Sequence, residues 1–117
     1  MSGIEKYVNY TPREVRAQMQ VIGDETNLGI LTYLLCEGTS DLMEMSDKLN
    51  LIESELNKRL KPLMQSALVE SYFRKGKQVY GTTLSANQLM FGIVYSQDLT
   101  EEQINEGIKK IASGSKT

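Results

Sequence analysis

The apolar pattern of this chain changes period once, near Leu68. Upstream, Ile52, Leu56, Leu60, Leu63 and Ala67 recur every three or four residues. At about 100° per residue they fall within an arc of about 80°, the dry stripe of an amphipathic helix. Downstream, "VESYF" and "VYGTTL" are β-branched and aromatic runs, and they read as two short strands. "RKGKQ" between them is a compact turn in which Gly76 is free to take positive φ. Strands this close in sequence pair antiparallel. The chain must therefore accommodate a helix that runs almost directly into a β-hairpin.

The segments on either side are helical. "TPREVRAQMQVI" places Thr11 and Glu14 at capping-box spacing, Pro12 at the first helical position, and Val15, Met19 and Ile22 on one stripe. Gly23 and Asp24 end it. A second helix is expected from Thr26 or Asn27 to a stop at Gly38. Its face of Leu28, Leu31 and Leu35, flanked by Ile30 and Leu34, is wide enough for the centre of a core. Asp41 and Glu44 open a third, shorter helix with Leu42, Met45 and Leu49 inside, Met43 and Met45 being read as core gap-fillers. A tight turn at Asn50-Leu51 leads into the helix of the opening stripe, and Asn50 with Glu53 has capping spacing there. After the hairpin, Ala86, Leu89, Met90, Ile93 and Val94 form one helical stripe. Ile104, Ile108 and Ile111 form another, with Thr100 and Gln103 at capping spacing. The expected organisation is a single domain. It has an N-terminal helix over 11–22, a core over 26–85, C-terminal helices over 86–112 and a disordered tail over 113–117.

Composition narrows the chemistry. Hydrophobic content of 40% and charged content of 24% are those of a globular protein. There is no histidine and a single cysteine, which removes the commonest general base and the commonest soft metal ligands. The nine glycines are scattered, with no phosphate-cradling loop. No enzyme is expected, no cofactor and no metal. Cys36, within "ILTYLLC", reads as a small buried hydrophobe. No apolar run approaches the roughly 20 residues that cross a bilayer, and "MSGIEKYVNY" lacks the features of a secretory signal. A cytoplasmic protein without a membrane partner fits these features.

Three helices followed by a hairpin make the winged helix-turn-helix arrangement, a mainly α fold with a small antiparallel β-hairpin. Here it carries extra N- and C-terminal helices. In such folds the second helix of the turn enters the major groove of DNA. Residues 27 to 85 resemble the winged-helix domain of ArsR/MarR-type transcriptional regulators, most of all the small archaeal ones. "LNKRLKPLMQSALVE" is similar to that family's recognition helix and its lead into the wing, and "VYGTTLS" to the returning wing strand. Ile52 stands where the family often has a capping Ser or Thr. The paired Cys and His ligands of the metal-sensing members are missing, so the resemblance implies no metal sensing.

Charge supports a nucleic-acid partner. Between Lys58 and Lys77 stand six bases (Lys58, Arg59, Lys61, Arg74, Lys75, Lys77) and one acid, Glu70. The remaining seven bases and fourteen acids bring the chain to −2. Local cationic surface on an acidic protein suits a site-directed binder of double-stranded DNA, since phosphate contacts supply most of the affinity. On the wet side of the helix, Ser54, Asn57 and Lys58 are candidates for base edges, and Lys61 for phosphate. Arg74, Lys75 and Lys77 form a wing tip for phosphates or a minor groove. Arg59, on the flank of the dry side, is placed to pair with an acid of its own chain. Glu53 and Glu55 suit the positive end of the helix dipole, and Glu53 also has the chemistry to accept from cytosine. Pro62 should bend the helix.

The flanking stripes call for a twofold homodimer, with Val15, Met19, Leu89, Met90, Ile93 and Ile104 at or near its interface. Two other readings stay open. One is a winged-helix module that binds proteins and not DNA. The other is an effector-sensing repressor with a pocket near Tyr33, Phe91 and Tyr95, whose effector the sequence leaves unknown.

Overall fold

The computed structural model describes residues 3–94 and, beyond them, residues 101, 102, 105, 106 and 109. Its elements run α1 (Gly3–Val8), α2 (Arg13–Ile22), α3 (Glu25–Glu37), β1 (Ser40–Asp41), α4 (Leu42–Leu49), α5 (Glu53–Gln65), β2 (Val69–Arg74), β3 (Lys77–Thr82) and α6 (Leu84–Val94). The helix-to-hairpin switch thus falls where the change of period puts it. The chain divides into two compact units, residues 1–86 and residues 87–117. The whole winged helix-turn-helix lies in the first.

Its core is aliphatic. Ile30, Leu31 and Leu34 of α3, Met45 of α4, and Leu56, Leu60 and Leu63 of α5 are essentially inaccessible. Leu68 and Val69 at the start of the hairpin, with Val79 and Tyr80 of β3, complete it. Burying a Leu- or Ile-sized side chain stabilises by about 1.5–3 kcal/mol, so these residues dominate the stability of the unit.

The sheet has three strands in the order β1-β3-β2, all antiparallel, where the sequence announces only the hairpin. The third strand is the two-residue β1, with Ser40 opposite Tyr80 and Asp41 opposite Val79. Two residues carry no period, so no alternation could reveal it. Helix α1, whose residues are all exposed, was likewise not expected.

Several local expectations need correction. Thr11 does not cap α2: Pro12 occupies the N-cap, without a side-chain bond. The inward residue of α2 is Gln18, not Met19, which is 53% exposed. The Gln18 amide is satisfied inside, its Nε2 donating to the Ser66 carbonyl and to Ser85 Oγ, each at 3.0 Å. Helix α3 starts slightly earlier than expected, because Asp24 caps it. Gly38 ends it with φ 87°, as expected of a C-terminal glycine. Cys36 is exposed, since it lies about 200° around α3 from the buried Leu34. Met43 is 73% exposed and fills no gap in the core. Ile52 precedes α5 and Ala67 follows it with φ 61°, so neither extends the buried stripe of that helix. The Asp41–Glu44 cap is observed: the Glu44 N–H donates to Asp41 Oδ1 at 2.8 Å.

Candidate nucleic-acid interface

The turn between α4 and α5 sets how α5 is presented. Asn50 closes α4 in the left-handed conformation (φ 55°, ψ 43°), its N–H bonded to the Ser46 carbonyl. Short polar residues such as Asn tolerate this region best. The Leu51 N–H also reaches the Ser46 carbonyl (3.2 Å), while Ser46 Oγ donates back to the Leu51 carbonyl (2.5 Å). Asn50 therefore ends one helix and does not cap the next. Ile52 is the N-cap of α5 and offers it no side-chain bond.

Leu56, Leu60 and Leu63 anchor α5 inward, so its opposite side faces solvent. Ser54, Asn57, Lys58 and Lys61 are all exposed there. The helix continues through Pro62 to Gln65, and the Ser66 N–H still bonds the Pro62 carbonyl at 3.0 Å. Proline thus removes one main-chain donor without ending the helix.

Arg59 is taken up by its own chain. Its Nε donates to Glu55 Oε1 at 2.9 Å and its Nη1 to Asp24 Oδ2 at 3.0 Å. The other oxygen of Asp24 accepts from the N–H groups of Thr26 (2.9 Å) and Asn27 (3.1 Å). The Asn27 N–H, and with it the Arg59 guanidinium, holds the Asp24 carboxyl below the usual carboxylate range. Glu55 first, then Asp24, raise the pKa of Arg59. One carboxylate thus caps α3 and clamps the flank of α5. The acid Glu55 and the base Arg59 neutralise each other beside the outer strip and leave that strip cationic.

The wing ends in a two-residue turn, Lys75 at φ 52° and Gly76 at φ 79°. Positive φ at both central positions is the type I′ geometry that matches strand twist. Arg74 and Lys77 are directly opposed across the strands, and like charges so placed repel. Tyr72, two residues before Arg74, shares its face. Just past the turn, Lys77 Nζ lies 3.9 Å from Asp41 Oδ2. Lys77 and Gln78 also line one depression with Asp41, Leu42, Met43 and Glu53. That places the start of β3 beside the beginnings of α4 and α5.

Of the residues expected at a dimer contact, Met19 and Ile93 are exposed (53% and 45%). Val15 and Leu89 are half-buried, Met90 is fully buried within the single chain, and Ile104 lies outside the described residues. Of the residues suggested for an effector pocket, Tyr33 bonds Ser40 Oγ at 2.9 Å and serves the fold. Phe91 is exposed, and Tyr95 lies outside the described residues. The predicted C-terminal helix is described only at Glu101, Glu102, Asn105, Glu106 and Lys109, which are helical and exposed; residues 113–117 lie outside the described residues. The roles of Asp24, a helix breaker by its sequence context, and of Tyr72 appear only in the structure. The two-residue spacing of Tyr72 and Arg74 was the available signal for the second.

Solved structures share this architecture. HlyU from Vibrio cholerae N16961 superposes with a TM-score of 0.59 at 21% identity, over 69% of this chain and 91% of that one. The transcriptional repressor BigR from Xylella fastidiosa gives 0.62 at 24%, over 83% and 95%. A homodimeric winged helix-turn-helix DNA-binding domain from Mycobacterium bovis gives 0.64 at 17%, over 84% and 88%. At these identities the likeness establishes the winged-helix fold. No curated protein matches the chain. Residues 2–93 match the model of a family of unknown function, DUF7346, and with that match over most of its length the chain belongs to this family.

Proposed function

We propose that the protein is a sequence-specific regulator of transcription that binds double-stranded DNA as a homodimer, in the manner of the ArsR-type regulators. It has no enzymatic role and needs no cofactor. Helix α5 reads the major groove, with Ser54, Asn57 and Lys58 toward base edges and Lys61 toward phosphate. Arg74, Lys75 and Lys77 take the wing to the backbone or the minor groove. The carrying observation is the division of charge on α5. Glu55 and Arg59 pair on the flank, and the outer strip keeps two lysines, an asparagine and a serine, all exposed. A polyanion also relieves the repulsion between Arg74 and Lys77. The M. bovis domain, a homodimeric DNA-binding one, supports both halves of the reading.

The test is selection of bound sequences from a random duplex pool. Recovery of an inverted repeat is expected, with half-sites about one helical turn apart. Asn57→Ala with Lys58→Ala should then weaken binding to the selected site by about 10-fold or more, at about 1–3 kcal/mol per base contact. Binding to random DNA should weaken less. Equal losses on both would assign these side chains to phosphate alone.

The second reading is a protein-binding module. Met43, Ile52 and Phe73, each more than 70% exposed, favour it. It predicts no steep salt dependence on heparin or duplex DNA, whereas the DNA reading requires one.

A further inference from the structure

We infer that Tyr72 is a positioning residue that holds the Arg74 guanidinium ready for nucleic acid, through a hydroxyl relay rooted in the sheet. The inference rests on the DNA-binding reading and adds to it the device that orients one wing cation. The Arg74 guanidinium lies 5.8 Å from the centroid of the Tyr72 ring, within cation–π range. Its Nη2 donates to the Tyr72 hydroxyl at 3.3 Å. That hydroxyl is 3.1 Å from Thr39 Oγ1. Because it accepts from arginine, its own hydrogen is free to point at the threonine. Thr39 is fixed from two sides. Ser40, next in sequence, pairs with Tyr80 of β3. A Cβ on Gly81 would come within 3.1 Å of Thr39 Oγ1, so the missing side chain leaves room for the relay.

The physical consequence is ordering before binding. Arginine carries much rotamer freedom, and losing it at an interface weakens affinity. Arg74 also stands opposite Lys77, a like charge that disfavours the rotamers leaning toward it. The face of Tyr72 and its hydroxyl offset that repulsion and confine the guanidinium to one side of the wing. Lys75 at the turn and Lys77 on the neighbouring strand have no aromatic support in this relay. Arg74 is therefore the wing cation suited to a narrow groove, where a fixed guanidinium gains most.

The experiment has two arms. In the free 117-residue chain, the 15N relaxation of the Arg74 Nε–H reports its order. It should be most ordered in the wild type, less in Tyr72→Phe and least in Tyr72→Leu. Against a random-sequence duplex, Tyr72→Phe should lower affinity by about 3- to 10-fold with the melting temperature unchanged. Thr39→Val should have a smaller effect of the same kind. In an Arg74→Ala background, Tyr72→Phe should have no effect on affinity. Equal losses with and without Arg74, or an Arg74 whose order ignores Tyr72, would overturn the inference. A wild-type protein that binds no duplex would overturn the DNA reading instead, and the relaxation arm would still decide whether Tyr72 orders Arg74.

Discussion

At the scale of single residues, the most informative side chain is Asp24, because one carboxylate serves two elements. Its Oδ1 caps α3 and its Oδ2 holds Arg59. Both interactions favour the charged form and lower its pKa. A group whose folded pKa is depressed contributes stability that is complete above its unfolded value. That contribution is lost as pH falls through the folded value. Asp24→Asn keeps a capping oxygen and removes the charge. It should therefore destabilise the protein near pH 6, and the difference from wild type should shrink as pH falls below the ordinary carboxylate range and through the lowered pKa of Asp24. Thermal melts of both proteins across that range measure this, and a constant gap at every pH would remove the charge from the account. Arg59 belongs to the same cluster and not to the proposed DNA surface. Arg59→Ala should leave the slope of log affinity against log salt unchanged. Lys61→Ala should lower its magnitude by about 0.9, the share of one phosphate contact. That contrast could be drawn from sequence, since Arg59 falls on the flank of the stripe. Its partner Asp24, 35 positions away, could not be read from any local period. Gln18 shows the same blindness. A polar residue reads as outward unless the acceptors that satisfy it are known, and Ser66 and Ser85 are distant in sequence.

At the scale of elements, legibility follows length. The core stripe of α5, the cap at Asp41, the glycine stop of α3 and the paired strands of the wing were all readable. Each repeats a period or places a conformationally special residue at a boundary. The two-residue β1 repeats nothing, and α1 has no buried face to betray it. The start of α5 was misread because Asn50 and Glu53 have the spacing of a capping box. A left-handed Asn that ends α4 cannot serve the next helix as well. Helix α5 is consequently uncapped at Ile52, whose backbone (φ −69°, ψ 151°) already has the extended form of an N-cap. Ile52→Ser should let a hydroxyl accept from the first turn and raise stability by about 1 kcal/mol. Urea unfolding would register this as a higher midpoint at unchanged m-value. Because Ile52 is 71% exposed, little buried apolar contact is lost in exchange. No gain would mean that the first-turn N–H groups of α5 are already satisfied.

At the scale of the whole molecule, the exposed apolar side chains of the flanking segments suit a contact with a second copy. Ile4, Tyr7 and Tyr10 of the N-terminal segment are each more than 60% exposed, and Met19 of α2 and Ile93 of α6 are about half exposed. Large apolar side chains left exposed can mark an interface. In sequence, the elements that carry these residues flank the winged core. A twofold pairing through such surfaces would present two α5 helices to successive major grooves, and the two half-sites of an inverted repeat mirror that symmetry. Met19→Asp and Ile93→Asp, made separately and together, should shift the protein toward monomer in sedimentation experiments. The fully buried Met90 would test the fold and not the contact, so it is the wrong residue to change. Affinity for a two-half-site duplex should fall far more than affinity for a single half-site, because pairing makes the second contact intramolecular. If both duplexes weaken equally, the substitutions have damaged the reading domain. If the protein remains dimeric with both charges in place, Met19 and Ile93 lie outside the contact, and the exposed N-terminal aromatics become the next candidates for it.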